Sequence, residues 1–387
     1  MRDIQVDPYG IEIMLPKTSC YLIKLNALSN IAANILKQEM LSLGADAAIA
    51  RGALTGRSKK TDCLLMGNLS QFWRLNQKLK KQPFGLGQLA HNLDTTLRNY
   101  QRDKFRIDLG KFKLNLGAAK TYVMGIVNLT PDSFSGDGLY SLPVARCPFP
   151  VIVDFVKKMV RDGADIIDIG GESSRPGAKP VSLKKELSRT IPVIKVLAKK
   201  IKLPISIDTS KPEVAQQALD QGAVIVNDIT ALRNPKMAKI IARYKAGCVI
   251  MHMKGNPRTM QKKPEYVSLI DEIIEYLDKA IKRAKEAGIK EEKIIIDPGI
   301  GFGKTPEDNL EILQKLKDFK VLGRPILVGT SRKSFIGKTL NAGPQERLLG
   351  TVSSCVIAAE NGAKILRVHD VRQVKQALKV RDKIFNT

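Results

Sequence analysis

The 387-residue chain, 43% hydrophobic and 26% charged, has the composition of a soluble globular protein and the length for two domains. No run reaches the about 18 apolar residues of a membrane-spanning helix, and the amino terminus MRDIQVDPYGIEI has two early acids and no apolar core, against a secretion signal. A net charge of +26 suggests a polyanion, but residues 1–115 carry 18 Lys/Arg against 9 Asp/Glu and the remainder 46 against 29, so the excess is dispersed. With 5% aromatic residues and no interleaved basic-aromatic stretch, that excess reads as lysine-rich helix surface that draws in small anions, and it argues against a nucleic-acid partner. Five scattered cysteines (Cys20, Cys63, Cys147, Cys248, Cys355) show no CxxC spacing, which argues against a zinc site or a disulfide framework and for a cytoplasmic location.

Residues 1–103 read as a separate α+β domain of unassigned role. Cys20–Leu25 is strand-like, and Ser29 caps a helix through Leu43 that ends at Gly44. Ala45–Ala50 and Asp62–Met66 are further strands; Ser70–Lys81 and Leu86–Tyr100 are helices, the first stopped by Pro83. KFRIDLGKFKLNLG alternates apolar and polar residues across Gly110, as a β-hairpin that plugs the amino-terminal end of a barrel would. Eight apolar runs follow in residues 104–387: Val123–Asn128, Ala164–Gly171, Pro204–Thr209, Ala223–Ile229, Gly247–His252, Lys293–Pro298, Pro325–Ser331 and Ala363–His369. Their near-continuous Ile/Val content marks strands covered on both faces, and eight βα units predict an α/β fold, a (β/α)8 TIM barrel. Leu139–Pro150, with three prolines, reads as a long first βα loop.

In such a barrel the chemistry sits where strands end. The first run ends in Asn128, an amide oxygen suited to Mg²⁺ beside phosphate, followed by Thr130, Pro131, Asp132 and Ser133. The second runs into GGESSRPGA, with Arg175 on a Gly/Pro-rich loop. The third ends in Asp208, the fourth in Asn227 and Asp228, the sixth in Asp297. One such aspartate is more often a cap or a core hydrogen-bonder. Two carboxylates and an amide converging on one mouth match the edge of an aminopyrimidinone, because burying them unpartnered costs several kcal/mol. The seventh run delivers Ser331, Arg332, Lys333 and Ser334, and the eighth Arg367 and His369, where this fold recurrently grips phosphate. His252, between methionines, reads as a packing residue and His91 as incidental. GIGFGK lacks Walker spacing, and no GxSxG or HExxH occurs.

Taken together, MGIVNLTPDSFS, DIGGESSRPGA, IDTSKPEVA, NDI, MHMKGNPRTMQ, DPGIGFGK, VGTSRKSFIG and RVHDV resemble bacterial dihydropteroate synthase over residues 108–387. The resemblance implies condensation of 6-hydroxymethyl-7,8-dihydropterin diphosphate with 4-aminobenzoate, Mg²⁺ as cofactor and a homodimer. It implies pterin contacts from Asp208, Asn227, Asp297, Lys333 and Arg367, with Asp208, Lys333, Arg367 and His369 central to catalysis. It further implies diphosphate contacts from Asn128, Arg367 and His369, with Asn128 also at the metal. Ser174, Arg175, Phe302 and Ser334 would lie on the aminobenzoate side, and Asp132 and Phe134 on a first loop that folds over both substrates. SFSGDG replaces the family's usual SFSDGG, which displaces Asp137 by one position, and the N-terminal domain has no counterpart in the short bacterial enzymes. Two competing readings are a methyltransferase acting on methyltetrahydrofolate and a non-catalytic pterin-binding protein. The first shares the Asp/Asn/Asp set but has no use for SRK plus RVH; intact loop motifs argue against the second.

Overall fold

The computed structural model describes residues 1, 3–55, 57, 59–117, 120–130, 149–173, 180–256, 260 and 264–385. The chain divides into two compact units, Met1–Arg98 and Asn99–Thr387. In the first, helix α1 (Pro8–Met14) precedes β1 (Cys20–Ser29), α2 (Asn30–Ser42), β2 (Asp46–Ile49), α3 (Arg51–Leu54), β3 (Lys60–Asn68) and α4 (Leu69–Leu79), and α5 (Leu86–Gln101) closes the series. The three strands form an antiparallel sheet in the order β1-β3-β2. Ser29 Oγ accepts from the Ala32 N–H at 3.2 Å, which starts α2, and Gly44 at φ +67° ends it. Asn68 and Gln71 form a reciprocal capping box at the head of α4. Leu36, Met40, Leu65, Phe72, Leu75 and Leu79 bury this unit's own core. Sequence reading passed over α1, although Asp7 caps it and Pro8 opens it; the helix buries no side chain, so no apolar period marked it.

In the second unit a hairpin of β4 (Phe105–Asp108) and β5 (Lys113–Leu116) comes first. Eight parallel strands then close a barrel: β6 (Tyr122–Asn128), β7 (Ile166–Gly170), β8 (Ile205–Asp208), β9 (Ile225–Asp228), β10 (Gly247–Met251), β11 (Ile294–Asp297), β12 (Ile326–Val328) and β13 (Ala363–Val368). The helices between and after them are α6 (Phe149–Arg161), α7 (Leu183–Lys200), α8 (Pro212–Asp220), α9 (Pro235–Tyr244), α10 (Leu269–Glu286), α11 (Pro306–Gln314), α12 (Ser334–Leu340), α13 (Leu348–Glu360) and α14 (Val371–Phe385). This is the expected TIM barrel. Every residue of β7, β10 and β11 is buried, because one face meets the helices and the other the barrel interior.

The interior is divided along its axis. At the amino-terminal end Ile107, Leu109, Leu114 and Leu116 of the hairpin segment pack onto Met124, Ile166, Ile225, Val249, Ile295, Leu327 and Ile365, inward residues from seven of the eight strands. A Cβ on Gly247 would meet Leu109 Cδ2 at 2.9 Å, which shows how closely the plug seats. The apolar plug leaves only the carboxyl end of the barrel for polar groups. Ile107→Ala should cost about 2–5 kcal/mol of stability, as large-to-small changes in tight cores do. Urea unfolding measures it, and Michaelis constants should stay at wild-type values because the plug lies at the end away from the strand tips.

Candidate active site

Strand register builds the first wall of the site. Asn128 pairs with Gly170, Gly170 with Asp208, and Asp208 with Asn227, so four consecutive strands end on one row. Paired residues in a parallel sheet point the same way, which turns Asn128, Asp208 and Asn227 inward together. Gly170 leaves the gap between them: a Cβ there would lie 3.5 Å from Asn128 Oδ1 and 3.6 Å from Asp208 Cβ. On the opposite side Met251 pairs with Asp297.

A cavity opens inside this rim, lined by Ile126, Ile229, Met251, Ile300 and Phe302 as apolar walls. Asp208, Asn227, Asp297, Ser331, Lys333, Arg367 and His369 supply its polar groups. Arg367 stands between two carboxylates: Nε donates to Asp168 Oδ2 at 2.6 Å and Nη2 to Asp208 Oδ2 at 2.7 Å. Burial opposes its charge, but Asp168 and Asp208 outweigh that and hold its pKa above the ordinary value. Asp208 is pushed up to about 7, first by desolvation and against the pull of Arg367, with Asp168 adding to the rise. Asn227 Nδ2 donates to the same Asp168 oxygen at 3.3 Å.

Asp297 is also raised by burial, although its Oδ1 accepts the Gly299 N–H at 2.7 Å and Lys333 favours its charge. Gly299 has φ +74°, and a Cβ there would fall 1.9 Å from the His252 carbonyl oxygen, so only glycine fits. Lys333 donates to the Ile300 carbonyl and lies 4.2 Å from the Phe302 ring centroid, a cation–π contact. Burial lowers its pKa to about 8 despite Asp297. Ser331 Oγ accepts the His369 backbone N–H at 3.2 Å and sits 3.1 Å from His369 Nδ1. The Ser331 hydroxyl and the His369 ring are thereby held together at the carboxyl end of β12 and β13.

Other residues singled out in the sequence lie beside this cavity or outside it. Arg332 turns away from the cavity to a two-toothed grip on Asp370, at 3.0 and 2.6 Å. Asp228, next to Asn227, points to the other face and caps the following turn through Thr230 and Leu232. Ser334 is exposed and lines a neighbouring cavity with Lys304, Thr305, Asn309 and Lys338. Asn128 stands on the rim row without lining the ring cavity. Asp132, Phe134, Ser174 and Arg175 lie outside the described residues, as does Asp137. His252 is buried edge-on to Tyr276, and His91 is exposed on α5.

Two functional candidates escaped the sequence reading. Asp168 is wholly buried in mid-strand; its only signal is a carboxylate amid Ile166, Ile167 and Ile169. Lys304, 2% exposed, lies 2.8 Å from His252 Nδ1 and donates to the Phe302 carbonyl at 3.1 Å. Burial lowers its pKa to about 7, and burial together with Lys304 pushes His252 down to about 2, which favours the neutral imidazole.

Residues 124–369 match the family model described as pterin binding enzyme. The dihydropteroate synthase of Synechocystis is 49% identical over 269 residues, which cover 69% of this chain and 91% of that protein. A Xanthomonas albilineans dihydropteroate synthase solved with 4-aminobenzoic acid superposes with a TM-score of 0.67 at 39% identity, over 73% of this chain and 99% of that one. A probable bifunctional folylpolyglutamate synthase/dihydropteroate synthase of Halobacterium salinarum is 37% identical over 351 residues, 90% of this chain and 41% of that protein. That match is too long for Asn99–Thr387 alone and so reaches into the N-terminal unit. The chain belongs to the dihydropteroate synthase family of pterin-binding enzymes.

Proposed function

We propose that the chain joins 6-hydroxymethyl-7,8-dihydropterin diphosphate to 4-aminobenzoate in folate biosynthesis, releasing 7,8-dihydropteroate and diphosphate. One observation carries the reading: the acceptors Asp208, Asn227 and Asp297 face the same cavity as the cations and donors Lys333, Arg367 and His369. Acceptors at ring height suit the N–H groups of an aminopyrimidinone, and Met251 and Ile229 give its faces apolar cover. In the reaction the bond from the pterin methylene carbon to diphosphate oxygen breaks and a carbon–nitrogen bond forms. Arg367 and His369 oppose the charge that gathers on the departing oxygen, and Asp208 and Asp297 balance positive charge on the ring. The arylamine nitrogen is neutral at pH 7 and attacks without a base, losing a proton to solvent afterwards. Phe302, fixed by Lys333, and Ser334 in the adjoining cavity supply the aminobenzoate side.

Among the described residues no group of three His, Cys, Asp or Glu is placed to hold a metal, whereas Asn128 offers an amide oxygen on the rim. An amide oxygen of this kind fits Mg²⁺, and Asn128 would be the residue that holds it. When bound, the ion would neutralise charge on the leaving group. A homodimer is supported by exposed Leu349, Ile357, Val380 and Ile384 on α13 and α14. A cytoplasmic site of action is supported by Cys20, Cys63, Cys248 and Cys355, which are free thiols among the described residues. Methyl transfer from methyltetrahydrofolate needs the ring-facing acceptors but no anion grip, so the Ser331–His369 pair favours the synthase.

Two tests follow from these roles. Lys333→Ala and Asp297→Ala should each lower kcat/KM for the pterin substrate about 100-fold or more while circular dichroism stays native; near-normal rates would remove both from the site. For pH, the ring grip needs Asp208 ionised and Lys333 protonated. The pterin kcat/KM should therefore fall below about 7, as Asp208 gains its proton, and fall again above about 8, as Lys333 loses its own. Lys333→Arg should abolish the alkaline limb, and a profile flat from about pH 6 to 9 contradicts the assignment.

A further inference from the structure

Asp168 does no bonding chemistry in the reaction, yet three strands meet on it. It lies on β7 one inward position below the row of Asn128, Asp208 and Asn227, and it is fully buried. Among the described residues every donor that reaches it converges on one oxygen: Oδ2 takes Arg367 Nε from β13 and Asn227 Nδ2 from β9. Among the described residues its Oδ1 has no hydrogen-bond partner, nor does the Oγ of Ser206, its register partner on β8.

Two consequences follow. A carboxylate accepts only, so it fixes which way round the Asn227 amide stands: Nδ2 goes to Asp168, and the carbonyl oxygen is left for the ligand. Asp168 also takes the Nε edge of the guanidinium, so among the described residues Arg367 meets Asp208 through Nη2 at Oδ2, which leaves the Oδ1 side of Asp208 for the ring. We infer that Asp168 is a positioning residue that sets the hydrogen-bond polarity of the pterin pocket through Asn227 and divides Arg367 between two carboxylates. The inference rests on the pterin reading of this cavity.

The test compares Asp168→Asn with the exchange Asp168→Asn/Asn227→Asp. The exchange keeps the net charge and the bond between positions 168 and 227 but places a carboxylate where the ring met an amide. Binding of 6-hydroxymethylpterin, followed by its fluorescence, should weaken about tenfold or more in Asp168→Asn, while KM for 4-aminobenzoate stays within about twofold. The exchange should melt near wild type and bind the pterin more tightly than Asp168→Asn, because a carboxylate at position 227 again offers the ring an acceptor. Pterin affinity within about twofold of wild type in Asp168→Asn, or an exchange that binds no better than Asp168→Asn, overturns the inference. If Asp168→Asn fails to fold, loss of pterin binding in the folded exchange overturns it. Failure of the wild-type protein to bind the pterin would instead overturn the reading of the cavity.

Discussion

A guanidinium gripped by two carboxylates in a barrel interior is costly to make and strict in its consequences. Removing a charge from water costs several kcal/mol, recovered only where the partners stand in good geometry. Arg367 obtains that geometry from Asp168 and Asp208, on adjacent strands β7 and β8. Strand register puts Asp168 one step below the rim and Asp208 on it, so the arginine is held at both heights. Rotating β8 by one residue would turn Asp208 toward the helices and leave the guanidinium with one partner. The barrel's register and the site's electrostatics are thus one constraint, and the apolar plug at the far end secures it by forcing charge to the open mouth.

The other wall depends on the loop after β11. Gly299 lets the backbone pass within contact of the His252 carbonyl, and the turn brings back an N–H to Asp297. The same loop then presents Phe302 to Lys333 and ends at Lys304, which holds the Phe302 carbonyl and the His252 ring together. A buried lysine paired with a neutral histidine serves as a brace for this turn, since each satisfies the other at a depth where neither stays charged readily.

Much of this was legible in the residues. Unbroken Ile/Val runs signalled strands covered on both sides, and polar residues at their ends marked the mouth. Ser29, Gly44 and Pro83 marked helix limits in the first unit through capping and backbone rules that act locally. Less legible was anything set by direction. Asn227 and Asp228 are neighbours, and only the pleat decides that one faces the cavity and the other a turn. Arg332 and Lys333 divide likewise, because Arg332 at φ +56° swings toward Asp370. Asp168 was hidden for the opposite reason: a charge inside a strand looks like an interruption until its partners, 59 and 199 residues away in sequence, come into view.

The site's ionisation also explains why its contents suit a ligand with a polar ring and an anionic tail. Burial pushes Asp208 and Asp297 up and Lys333 and Lys304 down, so the cavity sits nearer neutrality than its residues would suggest. Charge is therefore poised and weakly held. Ring N–H groups donating to the aspartates would favour their ionised forms, and the negative charge of a diphosphate would favour the protonated form of Lys333. Both halves of one molecule then do what water can no longer do at this depth, and a neutral arylamine alone supplies neither. The electrostatics of the cavity are accordingly matched by a polar ring that carries an anionic tail, and the amine takes no part in that match.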